Sequence, residues 1–130
     1  MSDIPQQIAP VLRARPEIRL AILFGSAAAG KARFTSDVDL AVDLGAPMSA
    51  ATKAELIGEL AERTGRAIDL VDLRTVGVPL LGQIVGKGVR VAGGDAAYAQ
   101  LIKRHWFEEA DFMPCYRRLL AARRKAWIAQ

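Results

Sequence analysis

Asp37-Val38-Asp39 places two carboxylates one residue apart inside an otherwise apolar run, and a Gly25-Ser26 pair stands ten residues before them. At the period of an extended strand both carboxylates project from one face, with Val38 and Leu40 on the other. Carboxylates so placed repel each other unless something positive lies between them, and acids are depleted in strands. Hard divalent cations take oxygen ligands, and magnesium is usually held by one or two carboxylates together with substrate phosphates. A solvated strand face is the plainer account of the same pair. The Gly-Ser pair directly follows the apolar run Leu20–Phe24. Gly25 permits a turn where a side chain would clash. Ser26 offers a hydroxyl and a backbone N–H at the start of a short helical segment, a setting that suits a phosphate. An ordinary strand-to-helix turn would look the same. The spacing to the acid pair is what points to a nucleoside triphosphate bound with magnesium.

Residues 25–32 nearly spell a P-loop, G-x-x-x-x-G-K-[ST]. The match fails at Ala32, which lacks the hydroxyl that reaches magnesium, and six residues between Lys31 and Val38 leave no room for the long helix that follows such a loop. A third carboxylate is available on the next strand, where Asp69 alternates with Ile68 and Leu70. Asp72 falls on the other face or in the exit turn and reads as a local hydrogen-bonding group. Acids on neighbouring strands would converge on one site, as two-metal phosphoryl chemistry requires.

Gly25-Ser26, the ten-residue spacing and Asp37-x-Asp39 resemble the signature of the minimal nucleotidyltransferases of the polymerase-beta superfamily. Within it the chain resembles the small antitoxins paired with HEPN-domain toxins, over about residues 10–95. The resemblance implies an α/β (α+β), nucleotidyltransferase-like fold. It implies magnesium-dependent transfer of AMP from ATP to a tyrosine hydroxyl of a partner HEPN toxin ribonuclease, which is thereby silenced. Asp37, Asp39 and Asp69 would be the catalytic acids and would hold two Mg²⁺ ions, while Gly25, Ser26, Lys31 and Ser36 would contact the nucleotide. Relatives often carry an arginine near the position of Ala29, where here Lys31 and Arg33 are the nearby cations. Two further readings stay open. One is an antitoxin that neutralises its toxin by binding alone. The other is a standalone transferase for a small molecule such as an aminoglycoside, against which the absence of a second substrate domain argues.

The elements that must position these residues follow from the hydrophobic pattern. Helical spacing of Ile8, Val11 and Leu12 predicts a helix over 4–15, with Pro5 in its first turn; Pro10 would move its start toward Ala9. Strands are expected over 18–24, 37–44 and 66–73, with a short one over 89–92. A helix capped by Ser49 or Thr52 should reach Thr64 and end at Gly65. A shorter helix is expected over 75–85, with Pro79 in its first turn. From Asp95, read as a cap, the chain is helical, with Tyr98, Leu101, Ile102, His105 and Trp106 on one face. Pro114 should kink or divide this helix, its second half covering 116–128. The result is a small mixed sheet of three to four strands with flanking helices: a core over 1–95 and a C-terminal helical tail over 96–130, packed on the core or on a partner, within one domain overall.

The chain has 130 residues, 52% hydrophobic and 25% charged, as expected of a soluble globular protein. No apolar run is long enough for a membrane span, and no signal peptide is visible. The one cysteine, Cys115, allows no internal disulfide, which fits a reducing cytoplasm. The net charge of +4 lies wholly in residues 101–130, where seven Lys and Arg outnumber three acids. Such a tail suits nucleic acid, an acidic protein face or a solvated helix surface. The lone His105 reads as a packed residue. Trp106, Phe107, Tyr116 and Trp127, with Arg117 among them, make the tail a candidate interface, since aromatics and arginine are enriched in binding hot spots. With the resemblance, the expected partner is a HEPN-type toxin in a hetero-oligomer, with no membrane and no direct nucleic acid binding.

Overall fold

The computed structural model describes residues 3–28 and 37–128, the side chains at 27, 111–116 and 123–128 excepted. Helix α1 (Ile4–Arg13) is followed by strand β1 (Leu20–Phe24), the one-turn helix α2 (Gly25–Ala28), strand β2 (Val38–Asp43) and helix α3 (Ala50–Thr64). Strand β3 (Ile68–Asp72), helix α4 (Val78–Lys87), strand β4 (Val89–Gly93) and the long helix α5 (Asp95–Ile128) complete the order. The strands form one sheet, β3-β2-β1-β4. β1 runs antiparallel to both β2 and β4, and β2 runs parallel to β3, so the mixed α/β expectation is borne out with four strands.

Alternation along the strands splits the core into two layers. Ala21, Leu23, Val38, Leu40, Val42 and Leu70 pack with Ile8, Leu12, Leu56 and Leu60 of α1 and α3. Leu20, Ile22, Phe24, Ala41 and Leu73 pack on the other face with Leu81 and Ile84 of α4 and Leu101 of α5. Arg15 ties the first layer together, its guanidinium lying 2.8 Å from Glu59 and 3.3 Å from Glu55 of α3.

Several boundaries differ from the sequence expectation. α1 starts at Ile4, not near Ala9, with Asp3 accepting from the backbone N–H of Gln6. Pro10 sits inside it: four buried residues, Ile4, Ile8, Val11 and Leu12, anchor the helix on both sides of the one backbone bond that proline removes. β1 begins at Leu20, since Ile18 and Arg19 lead in, and Asp37 precedes β2 instead of opening it. Ser49 is the α3 cap, accepting from Thr52 N–H at 3.1 Å. α4 begins at Val78, three residues after Thr75, because Asp72 organises the preceding turn by accepting from the N–H of Arg74 at 2.9 Å. Asp95 is the first residue of α5, not its cap, and pairs with Arg90 at 2.9 Å. Helix α5 runs through Pro114 undivided for 34 residues. A proline removes one backbone bond, and the turns on either side keep the rest.

α5 is held to the core near its start. Leu101 is buried, and Arg104 reaches the exit of β3, donating through Nη1 to the Leu73 carbonyl and through Nη2 to the Val76 carbonyl at 3.0 Å. Its Nε donates to Glu108 at 3.0 Å. His105 packs against Gly82 of α4 and lies 3.3 Å from Glu109, in keeping with a packed role. Residues 117–122 are all exposed. Among the described residues no helix is long and apolar enough to cross a membrane.

Candidate active site

The acids meet at the edge of the sheet where β1 ends and β2 and β3 begin. In the ladder Phe24 of β1 stands opposite Asp39 of β2, and Asp39 stands opposite Asp69 of β3. Val38, Leu40 and Leu70 turn into the α1–α3 layer, so alternation sends Asp39 and Asp69 to the other face, side by side. Asp39 is half-buried and Asp69 exposed. Asp37 is exposed, just ahead of β2.

Burial pushes the Asp39 carboxyl above its ordinary value, and the Asp69 charge, a hydrogen bond with Asp69 and the Asp37 charge add in the same direction. Asp69 and Asp37 therefore both lie near enough to act on the Asp39 carboxyl. Among the described residues no group of three or more His, Cys, Asp or Glu side chains is arranged to hold a metal ion by itself. A carboxylate pair is nonetheless a sufficient protein share for magnesium, which takes its remaining ligands from water and phosphate. The raised Asp39 value marks carboxylates that a cation would relieve, so the donor set fits such an ion.

The Gly-Ser turn lies directly on this pair. Gly25 has φ +72°, a left-handed conformation, and a Cβ built there would overlap the Asp39 carboxylate oxygen. Glycine is required twice over, by backbone conformation and by space. Ser26, half-buried, is the second residue of α2. The structure thus brings Gly25, Ser26, Asp39 and Asp69 together, with Asp37 beside them. Lys31 and Ser36 lie outside the described residues. So do Ala29, near which relatives often carry an arginine, and Arg33.

The groove between α1 and α3, lined by Pro10, Val11, Glu59 and Arg63, opens on the opposite layer and takes no part in this constellation. Of the tail residues, Trp106 and Phe107 are 69% and 62% exposed, and Lys103 stacks over Phe107 at 5.9 Å. Arg117 is exposed; Tyr116 and Trp127 lie on α5, with side chains outside those described. Arg104, which the sequence groups with the basic tail, is instead a tie between α5 and β3. Its bonds are to backbone carbonyls far away in the chain, which leave no mark in a motif.

A mixed four-stranded sheet with flanking helices, its acids on adjoining strands beside a Gly-Ser turn, places the chain among nucleotidyltransferase-like folds. It belongs to the polymerase beta nucleotidyltransferase family, whose model matches residues 6–96. The protein adenylyltransferase MntA of Shewanella oneidensis is 35% identical over 78 residues, 60% of this chain and 56% of that protein. The matched stretch thus spans little more than half the length of this relative. A chain of a toxin-antitoxin complex solved with AMP-PNP superposes with a TM-score of 0.72 at 26% identity, covering 89% of this chain and 98% of that one. A chain of the toxin-antitoxin complex MntA-HepT superposes with a TM-score of 0.65 at 25% identity, covering 97% and 95%.

Proposed function

We propose that this chain is an antitoxin that transfers AMP from ATP to a tyrosine hydroxyl of a partner HEPN-type toxin. The observation that carries the reading is the Asp39–Asp69 pair lying under the Gly25-Ser26 turn. The relatives named as a protein adenylyltransferase and as toxin-antitoxin subunits, one of them solved with an ATP analogue, support the donor and the kind of acceptor.

In this reading the N–H groups of the Gly25-Ser26 turn and the Ser26 hydroxyl hold the β- and γ-phosphates. Asp37, Asp39 and Asp69 would hold magnesium, as two ions, and the bound metal would supply charge neutralisation for the leaving pyrophosphate. The acceptor oxygen attacks the α-phosphorus, the bond from that phosphorus to the bridging oxygen breaks, and pyrophosphate departs. Where Asp69 does not hold the second ion, its carboxylate, exposed beside Asp39, instead takes the proton from the acceptor hydroxyl. Most of the acceleration comes from positioning and charge neutralisation. The partner docks on α5, where Trp106, Phe107 and Arg117 are exposed, with Tyr116 and Trp127 on the same helix. The core over 1–95 does the chemistry and the tail over 96–130 recognises the partner.

The test uses ATP labelled at either the α- or the γ-phosphate, incubated with the chain, magnesium and the co-expressed neighbouring protein. Label retained on protein from the α-position and lost from the γ-position is the expected result, abolished by a chelator. Label from the γ-position would identify a kinase, and none from either would leave neutralisation by binding.

A further inference from the structure

Resting on the nucleotide reading above, we infer that Lys87 is a triphosphate-binding cation of this site, contacting the pyrophosphate portion of the donor nucleotide. α4 packs on the same face of the sheet as the acids, with Leu81 and Ile84 among Leu20, Ile22 and Phe24, and it ends at Lys87. That end is pinned. A Cβ on Gly88 would overlap both the Ile84 carbonyl oxygen and a methyl of Ile22, and the Gly88 N–H donates to Ile84 at 2.9 Å. The missing side chain lets the helix terminus lie flat against β1.

The register then fixes where Lys87 stands. Leu23 of β1 is opposite Val89 of β4. The ladder ends at that pair, and Lys87, the last residue of α4, precedes Val89 by two residues. On the other side of β1, Phe24 meets Asp39. The end of α4 therefore stands at the same end of β1 as the Gly25-Ser26 turn and the acids on β2, and α4 touches α2. Neighbouring strands lie about 4.8 Å apart, so two strand spacings, roughly 10 Å, separate β2 from β4, which directly follows the end of α4. A flexible four-carbon stem carrying an ammonium spans much of that gap. Phosphates seated on the Gly25-Ser26 turn would lie between the two.

Charge points the same way. Lys87 is exposed and makes no hydrogen bond or ion pair with the described residues. Asp37, Asp39 and Asp69 are matched by metal in this reading, which leaves the β- and γ-phosphates needing a protein cation. A lysine in the last turn also complements the helix dipole. That role would not distinguish one nucleotide from another, and the experiment exploits the difference.

Wild type, Lys87→Ala and Lys87→Arg are titrated with ATP plus magnesium and, separately, with AMP, each variant first checked for an unchanged melting temperature. Loss of a charge-assisted contact predicts that Lys87→Ala weakens ATP binding about tenfold or more, with AMP binding unchanged and Lys87→Arg close to wild type. ATP binding by Lys87→Ala equal to wild type, or equal weakening for ATP and AMP, overturns this inference alone. A wild-type chain that binds neither nucleotide overturns the nucleotide reading and this inference with it.

Discussion

Asp39 and Asp69 stand opposite each other in the parallel ladder of β2 and β3, one half-buried and the other exposed. The juxtaposition holds the Asp39 carboxyl above its ordinary value, first through burial and then through Asp69 and Asp37. A raised native value means that the folded chain binds this proton more tightly than the unfolded chain, so ionisation penalises the fold. The penalty is absent below the unfolded carboxylate value of about 3.9 and fully present above the raised native one. In metal-free buffer, Asp39→Asn should melt a few degrees higher than wild type at neutral pH, and the difference should vanish on acidification below about pH 4. Magnesium should raise the wild-type melting temperature and leave that of the variant unmoved. Thermal melts across pH, with and without magnesium, check both.

Gly25→Ala should damage the site more than any other single methyl. The left-handed backbone at Gly25 costs a side chain roughly 1–2 kcal/mol, and the new methyl would displace the Asp39 carboxylate. A lower melting temperature and a fall in transfer of about a hundredfold are expected, because small misplacements of positioned groups carry losses of that order. A matched pair of melts and single-turnover rates measures them.

Arg104→Ala should destabilise the chain by about 1.5–3 kcal/mol, the range for hydrogen bonds to charged groups, since two carbonyls at the exit of β3 lose their donor. Arg104→Lys should recover little, as an ammonium cannot reproduce the fork that reaches both Leu73 and Val76. Urea unfolding of the three proteins gives the comparison.

Trp106→Ala should leave stability within about 0.5 kcal/mol, the usual bound for exposed positions. On the proposed role of α5 it should weaken partner binding about tenfold or more while nucleotide affinity holds. Truncation before Tyr116 should act in the same sense. Equal loss of partner and nucleotide binding would remove the tail from the interface. Calorimetry with each ligand separates the outcomes.

What the sequence made legible is what repeats or interrupts a pattern. The strands show as apolar runs, and Asp39 and Asp69 show because acids break those runs at a period of two. Gly25 shows as a turn, but its contact with Asp39 does not, since only the β1–β2 register brings them together. The Arg104 tie was hidden for the same reason: its partners are backbone atoms at Leu73 and Val76. Pro10 and Pro114 misled, because a local rule about proline was weighed without the helix turns around it, which in α1 are packed on the core.

The most direct test of nucleotidyl transfer is the intact mass of the co-expressed partner after incubation with this chain, ATP and magnesium. The expected result is a gain of one or more AMP units on a tyrosine, lost with Asp37→Ala and with Asp39→Asn. A stable complex whose partner gains no mass would contradict the account and leave an antitoxin that acts by contact alone.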